Sequence, residues 1–292
     1  VPLHRHFGPH DHVIALADGR QLGYAELGDP AGTPVVAHHG GLSSRLDVVP
    51  ADAAARALGI RLLAPDRPGI GLSTRRPGRT LLDWPDDVRQ LADQLDLDRF
   101  ALLGWSLGGE FATAVAHELP ARVSRLALVA STVPREWPDM EPEANPMDRM
   151  FVRFSRHGAA VDRVAFRLLG EVADRWPALV VRLSGLTPGS AAATWIPRAV
   201  AEGVHDTSAV VDEYRIFERP WGFDPARIEL PTHVWQGDAD TLVPVSWSDA
   251  LAKSIPGAEL TVVAGATHFL WYDRWPDILS DLAPPGDLAD RS

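Results

Sequence analysis

The stretch that decides the fold is Ala101-Leu102-Leu103-Gly104-Trp105-Ser106-Leu107-Gly108-Gly109-Glu110. An apolar run enters G-x-S-x-G, and Phe111, Val115 and Leu119 follow at helical spacing before Pro120. Strand, tight turn and helix in that order are the context of a nucleophile elbow. The turn forces the serine into a strained backbone and lifts its hydroxyl above the sheet. Gly104 and Gly108 let neighbouring backbone come close. The helix start after Ser106 presents free N–H groups toward developing negative charge. A Gly-rich turn with an ordinary surface serine would not need all of these features together.

On both sides of this stretch, short apolar runs alternate with helical patterns. The runs are Val35-Val36-Ala37, Leu62-Leu63-Ala64, Phe100 to Leu103, Leu126 to Ala130, Val234-Trp235 and Leu260 to Ala264. Runs apolar on both faces suit parallel strands covered by helices. Trp84, Val88, Leu91 and Leu95 mark one helical stripe, with Asp83 as the expected N-cap and Pro85 in the first turn. Gly59 ends the Ala-rich stretch before it. Ahead of all this, His12 to Leu16 and Gln21 to Glu26 flank Ala17-Asp18-Gly19-Arg20, a hairpin signal. The pattern predicts an α/β fold with a mostly parallel sheet.

One gap between strands, from about 130 to about 233, is far longer than a crossover unit. It holds all three methionines (Met140, Met147, Met150), Trp137, Trp176, Trp195, Trp221 and several phenylalanines. It reads as a helical insertion above the sheet, with core from 1 to 131, insertion from 132 to 225 and core again from 226 to 292. Its apolar residues either roof the serine or pack the insertion's own helices. The acidic residues Glu202, Asp206, Asp212 and Glu213 read as a solvated helix face; the alternative is that they hold the amine of an N-terminal peptide substrate.

A serine hydroxyl needs a base. His268, in Ala264-Gly265-Ala266-Thr267-His268-Phe269, follows the last strand and is best placed. His4, His6, His10 and His12 read as a loose tail, His117 lies in a helix, and His157 and His205 fall in the insertion. The base needs an orienting acid. Asp238 and Asp240 compete in the loop Gly237-Asp238-Ala239-Asp240; Asp240 is favoured, and Asp238 is left to cap the turn. Two N–H donors must hold an oxyanion. Leu107 supplies one, and Gly41, in His38-His39-Gly40-Gly41-Leu42, supplies the other. His39 is read as a structural hydrogen-bonding group.

The chain has 292 residues, 46% hydrophobic and 23% charged, enough for a sizeable core. With 28 basic and 39 acidic residues its net charge of −11 disfavours nucleic-acid binding. No apolar run reaches a membrane span. Zero cysteines exclude disulfides, thiolate metal sites and a cysteine nucleophile. No cofactor and no metal are expected. The partner is a small apolar or amphipathic molecule, and the absence of an apolar leader-like run makes the cytoplasm the expected location.

Together these residues resemble the α/β-hydrolase superfamily. The resemblance covers nearly the whole chain: the hairpin, His39-Gly40-Gly41, Asp66-Arg67-Pro68-Gly69-Ile70-Gly71-Leu72-Ser73, the elbow, Gly237 to Asp240 with Val243-Pro244, and the turn at His268. The order Ser106, Asp240, His268 matches as well. The resemblance implies eight strands and a helical cap after the sixth, with Pro220 to Pro225 returning to the core. Leu42 departs from it, standing where many relatives have proline. Haloalkane dehalogenases and epoxide hydrolases of this fold use an aspartate at the elbow, so Ser106 disfavours both. With Ser106, His268 and Asp240 as a triad, the expected reaction is hydrolysis of a carboxylic ester, thioester or lactone. The alternatives are C–C hydrolysis, amide or N-terminal peptide cleavage, perhydrolysis, lyase or cyclase chemistry, and a slow-turnover receptor.

Overall fold

The computed structural model describes residues 8–137 and 159–283. Eight strands form one sheet: β1 (Asp11–Ala15), β2 (Gln21–Gly28), β3 (Thr33–His38), β4 (Ile60–Pro65), β5 (Phe100–Trp105), β6 (Val123–Val129), β7 (Thr232–Gly237) and β8 (Glu259–Val263). Their spatial order is β1-β2-β4-β3-β5-β6-β7-β8. β2 runs antiparallel to both its neighbours, and every pairing from β4 to β8 is parallel. All eight strands fall on the predicted runs. Gly19 takes the left-handed φ of 84° that the hairpin turn requires.

Successive residues of the central strands face opposite layers, which explains the unbroken apolar runs. Val36, Leu63, Leu102 and Leu128 face one layer with Trp84, Leu91, Phe111 and Leu251. These belong to α2 (Trp84–Gln94), α3 (Gly108–Glu118) and α8 (Val245–Ser254). Val35, Leu62, Leu103 and Val129 face the other layer with Ala55, Trp271, Ile278 and Leu279. Those come from α1 (Asp52–Ala57) and α9 (Trp271–Leu282). Burying a Phe or Trp of this kind is worth roughly 3–5 kcal/mol against truncation to Ala.

Asp83 does not cap α2 through its side chain. A 3₁₀ turn, Leu81–Asp83, precedes the helix, and the Asp83 carboxylate turns back to accept from the Thr80 N–H at 2.7 Å. The capping box therefore starts one turn earlier than the sequence pattern predicts. His12 belongs to β1, with its ring stacked on Tyr24 at 5.2 Å. His4, His6, His157 and the three methionines lie outside the described residues.

Between β6 and β7 stand four helices among the described residues: α4 (Ala159–Arg175), α5 (Pro177–Leu183), α6 (Ala191–Gly203) and α7 (Thr207–Phe217). They form the helical cap, α4 packing on α6 and α7, and α6 packing on the 3₁₀ turn Arg45–Ala51. Phe166 stacks on Tyr214 at 5.6 Å, and Phe217 meets Tyr214 edge-on. These aromatics thus hold the cap together. The cap's return to the core is pinned by buried Trp221, which packs on Phe223, itself stacked on His117 of α3 at 4.6 Å.

The acidic cap residues do not form a solvated face. Glu202 meets Arg45 at 2.5 Å, Glu213 meets Arg67 at 2.5 Å and Arg79 at 3.2 Å, and Asp212 meets Arg75 at 2.8 Å. Asp206 caps α7 by accepting from Ser208 and Ala209 N–H groups. Glu202, Asp212 and Glu213 lie against arginines of the core, which removes them from water in pairs, not singly. No helix among the described residues is long and apolar enough to cross a membrane.

Candidate active site

Ser106 sits between the C-terminus of β5 and α3, at φ 54°. A non-glycine residue there is strained by about 1–2 kcal/mol. Three backbone hydrogen bonds hold it: Ser106 N–H to the Val129 carbonyl at 2.9 Å, and Gly109 and Thr132 N–H groups to the Ser106 carbonyl at 2.9 and 3.2 Å. The glycines around it are required by close approach. A Cβ on Gly104 would lie 2.6 Å from Gly109 Cα, and one on Gly108 would lie 2.3 Å from the His38 carbonyl oxygen. Ser106 is half-buried while Trp105 and Leu107 beside it are buried.

His268 stands in the loop between β8 and α9, beside the elbow. Its carbonyl accepts from Trp105 Nε1–H at 2.9 Å, and the two rings lie 5.3 Å apart. Its Nδ1 is 2.9 Å from Asp240 Oδ2. A carboxylate accepts, so Nδ1 carries the proton in this contact and Nε2 is the nitrogen left for other chemistry. Asp240 itself is strapped down: Oδ1 accepts from Leu242 and Val243 N–H at 2.7 and 2.9 Å, and Oδ2 accepts from Gln236 at 3.0 Å. Burial pushes its carboxyl up, but the adjacent His268 ring and the hydrogen bonds from His268, Val243 and Leu242 outweigh that and hold it below the usual aspartate range. Asp238 faces elsewhere, accepting from the Gly265 N–H at 2.6 Å. Gln236, fixed in turn by the Ser248 hydroxyl at 2.7 Å, has no distinguishing signal in the sequence.

Gly41 and Leu107 come together across the elbow: a Cβ on Gly41 would lie 3.2 Å from Leu107 Cδ2. Leu107 is the N-cap of α3, where backbone N–H groups have no intrahelical partner. Leu42 follows at φ 56°, a conformation that proline, locked near −65°, cannot adopt.

His39 is fully buried and structural. Its Nδ1 meets the Gly40 carbonyl at 2.9 Å and its Nε2 faces the Arg67 N–H at 3.4 Å. Burial and the neighbouring Arg67 charge drive its pKa well below the ordinary histidine value, so the ring is neutral. Two further carboxylates flank the elbow. Asp47 accepts from the Tyr272 hydroxyl at 3.1 Å, and burial pushes it up to about 7. Glu110, in the first turn of α3, is pushed up to about 8, again by burial. Neither was singled out by sequence, where a lone acidic residue in a loop or helix carries no signal. No cluster of three or more His, Asp or Glu side chains fit to hold a metal occurs among the described residues.

The family model described as alpha/beta hydrolase fold matches residues 33–274. A non-heme chloroperoxidase of Streptomyces lividans is 29% identical over 92% of this chain and 96% of its own length. A pimeloyl-[acyl-carrier protein] methyl ester esterase of Legionella pneumophila is 40% identical, but over 28% of this chain and only 34% of that esterase. Among solved structures, the esterase RhEst1 of Rhodococcus superposes with a TM-score of 0.72 at 22% identity, covering 94% of this chain and 99% of that one. The enol-lactonase of Burkholderia xenovorans gives a TM-score of 0.69 at 20% identity, covering 93% and 99%. At such identities the superpositions speak to the fold alone. The family match spans most of the chain, and the protein is an enzyme that belongs to the alpha/beta hydrolase fold family.

Proposed function

We propose that the enzyme is a serine hydrolase acting on a carboxylic ester, thioester or lactone of a small apolar molecule. Ser106 is the nucleophile, His268 the base and Asp240 the orienting acid. The observation that carries this reading is the His268 Nδ1 to Asp240 Oδ2 contact at 2.9 Å, in a loop that also hydrogen-bonds to the residue preceding Ser106. It fixes the tautomer that leaves Nε2 free to take the serine proton. Ser106 Oγ attacks the carbonyl carbon, and the charge on the carbonyl oxygen is held by Gly41 and Leu107 N–H groups. The protonated His268 gives its proton to the leaving alkoxide or thiolate as the acyl-enzyme forms. Water then attacks the acyl carbon, losing a proton to His268, and the tetrahedral adduct collapses to the acid as Ser106 Oγ leaves and takes that proton back from His268. No cofactor enters these steps. The proposed division is core to residue 131, cap from 132 to 225, and core thereafter.

A second reading is perhydrolysis, favoured by the full-length similarity to the Streptomyces chloroperoxidase. The same acyl-enzyme attacked by hydrogen peroxide in place of water would release a peracid and restore the serine. Aminopeptidase activity loses its motivation, because Glu202, Asp212 and Glu213 are engaged by arginines. The test is a panel of p-nitrophenyl esters, a lactone, an anilide and a β-diketone, each with and without peroxide. Turnover of esters or lactone that vanishes in Ser106→Ala supports the hydrolase; turnover confined to the anilide or the diketone overturns it.

A further inference from the structure

We infer that Arg67 is a positioning residue for the oxyanion hole and that Glu213 of the cap holds it in place, so that a seated cap and a competent hole go together. The inference rests on the hydrolase reading above and extends it to two residues outside the reacting group.

The Arg67 guanidinium is fully buried. Four of its five N–H bonds have acceptors. Nε and Nη2 donate to the two Glu213 oxygens at 2.5 and 3.0 Å, Nη1 donates to the His39 carbonyl at 2.6 Å, and Nη2 donates to the Gly40 carbonyl at 2.9 Å. The Phe111 ring covers one face at 4.6 Å. So placed, the group has no open side for a substrate. It reads two consecutive backbone carbonyls of the oxyanion loop and one carboxylate of α7.

The consequence follows from peptide geometry. The described residues contain no cis peptide, so the Gly41 N–H points opposite to the Gly40 carbonyl of the same peptide unit. Anchoring that carbonyl on Arg67, with His39 Nδ1–H as a second donor at 2.9 Å, fixes the direction of the Gly41 N–H. The restraint matters because the unit joins two glycines, for which rotation of the peptide is least hindered. Turned over, it would aim a carbonyl oxygen, not an N–H, at the developing oxyanion. The cationic donor also polarises the peptide and strengthens the N–H it leaves exposed.

Glu213 brings the cap into this relay. The cap seats tightly on the same loops: a Cβ on Gly203 would lie 2.4 Å from the Ser43 carbonyl oxygen, and one on Gly69 would lie 2.4 Å from Ala209 Cβ. Lifting α7 would strip Arg67 of its bidentate carboxylate and leave a buried cation uncompensated, a costly state. Arg67 would then be drawn away from the carbonyls it holds. Arg79, which shares Glu213 at 3.2 Å, cannot replace it, since no contact joins Arg79 to the oxyanion loop among the described hydrogen bonds.

The experiment compares Arg67→Lys and Glu213→Gln with the wild-type enzyme on one p-nitrophenyl ester, and measures inhibition by an alkyl boronic acid, whose tetrahedral serine adduct uses the hole. Lysine keeps the charge but cannot bridge two carbonyls; glutamine keeps the volume but not the charge. The expected result in both is a kcat lower by about tenfold to a hundredfold with KM changed less than about threefold, and a parallel loss of boronate affinity. A kcat within about twofold of wild type in folded protein, or a loss carried by KM with boronate affinity unchanged, overturns the inference. Thermal melting establishes folding; should Arg67→Lys not fold, the isosteric Glu213→Gln decides alone. Ser106→Ala in the same assays separates the two levels. Full turnover there overturns the hydrolase reading itself, whereas its loss there beside unaffected Arg67 and Glu213 variants overturns only the positioning role.

Discussion

Asp240 Oδ2 and His268 Nδ1 lie 2.9 Å apart although 28 residues separate them, and Asp238, two residues from Asp240, faces the Gly265 N–H instead. The two aspartates therefore predict opposite phenotypes. Asp240→Asn should favour the wrong imidazole tautomer and lower kcat by about 10³–10⁴-fold with the fold intact. Asp238→Asn weakens only a loop hydrogen bond, costing about 1 kcal/mol of stability and leaving kcat within about threefold. Steady-state kinetics and thermal melts of the pair decide it; equal losses in both would contradict the assignment.

Leu42 at φ 56° gives a backbone test of the oxyanion loop. Leu42→Pro demands a φ near −65° immediately after Gly41 and should cost more than about 1 kcal/mol, with activity down at least about tenfold. Leu42→Asn, which tolerates the left-handed region, should retain most of the activity. A fully active proline variant would show that this loop does not hold the oxyanion donor in the conformation described.

Glu110 predicts a pH dependence of stability. Its folded pKa, raised by burial from 4.5 to about 8, means that the folded state binds more protons than the unfolded chain between those values. Its stabilising contribution is thus complete below 4.5 and is lost as pH rises through about 8. Asp47, pushed up to about 7, acts in the same direction. Wild-type melting temperature should fall between about pH 5 and pH 8, and Glu110→Gln should flatten part of that slope. Parallel melting curves for the two proteins across that range would refute the buried neutral carboxyl.

The strands and the elbow were legible because their causes are local. Leu62 and Leu63 belong to opposite layers, so a parallel strand must be apolar throughout, and Gly104 and Gly108 mark backbone contacts that no side chain permits. The contact between His268 and Asp240 was legible from their places after strands. The arginine relay was not. Arg67 and Glu213 lie 146 residues apart, and an acidic residue on a helix ordinarily faces water. Nothing in the spacing of Glu202, Asp212 and Glu213 distinguishes burial against arginines from exposure. Asp83 failed as a cap for a related reason: its box with Thr80 starts a 3₁₀ turn that hydrophobic periodicity does not register.

Intact-mass analysis after a fluorophosphonate reagent tests most directly whether Ser106 is the nucleophile. The expected result is one adduct per chain, mapped to the peptide bearing Ser106, abolished in Ser106→Ala along with ester turnover. An adduct that persists at another residue in Ser106→Ala, with esterase activity undiminished, would contradict it.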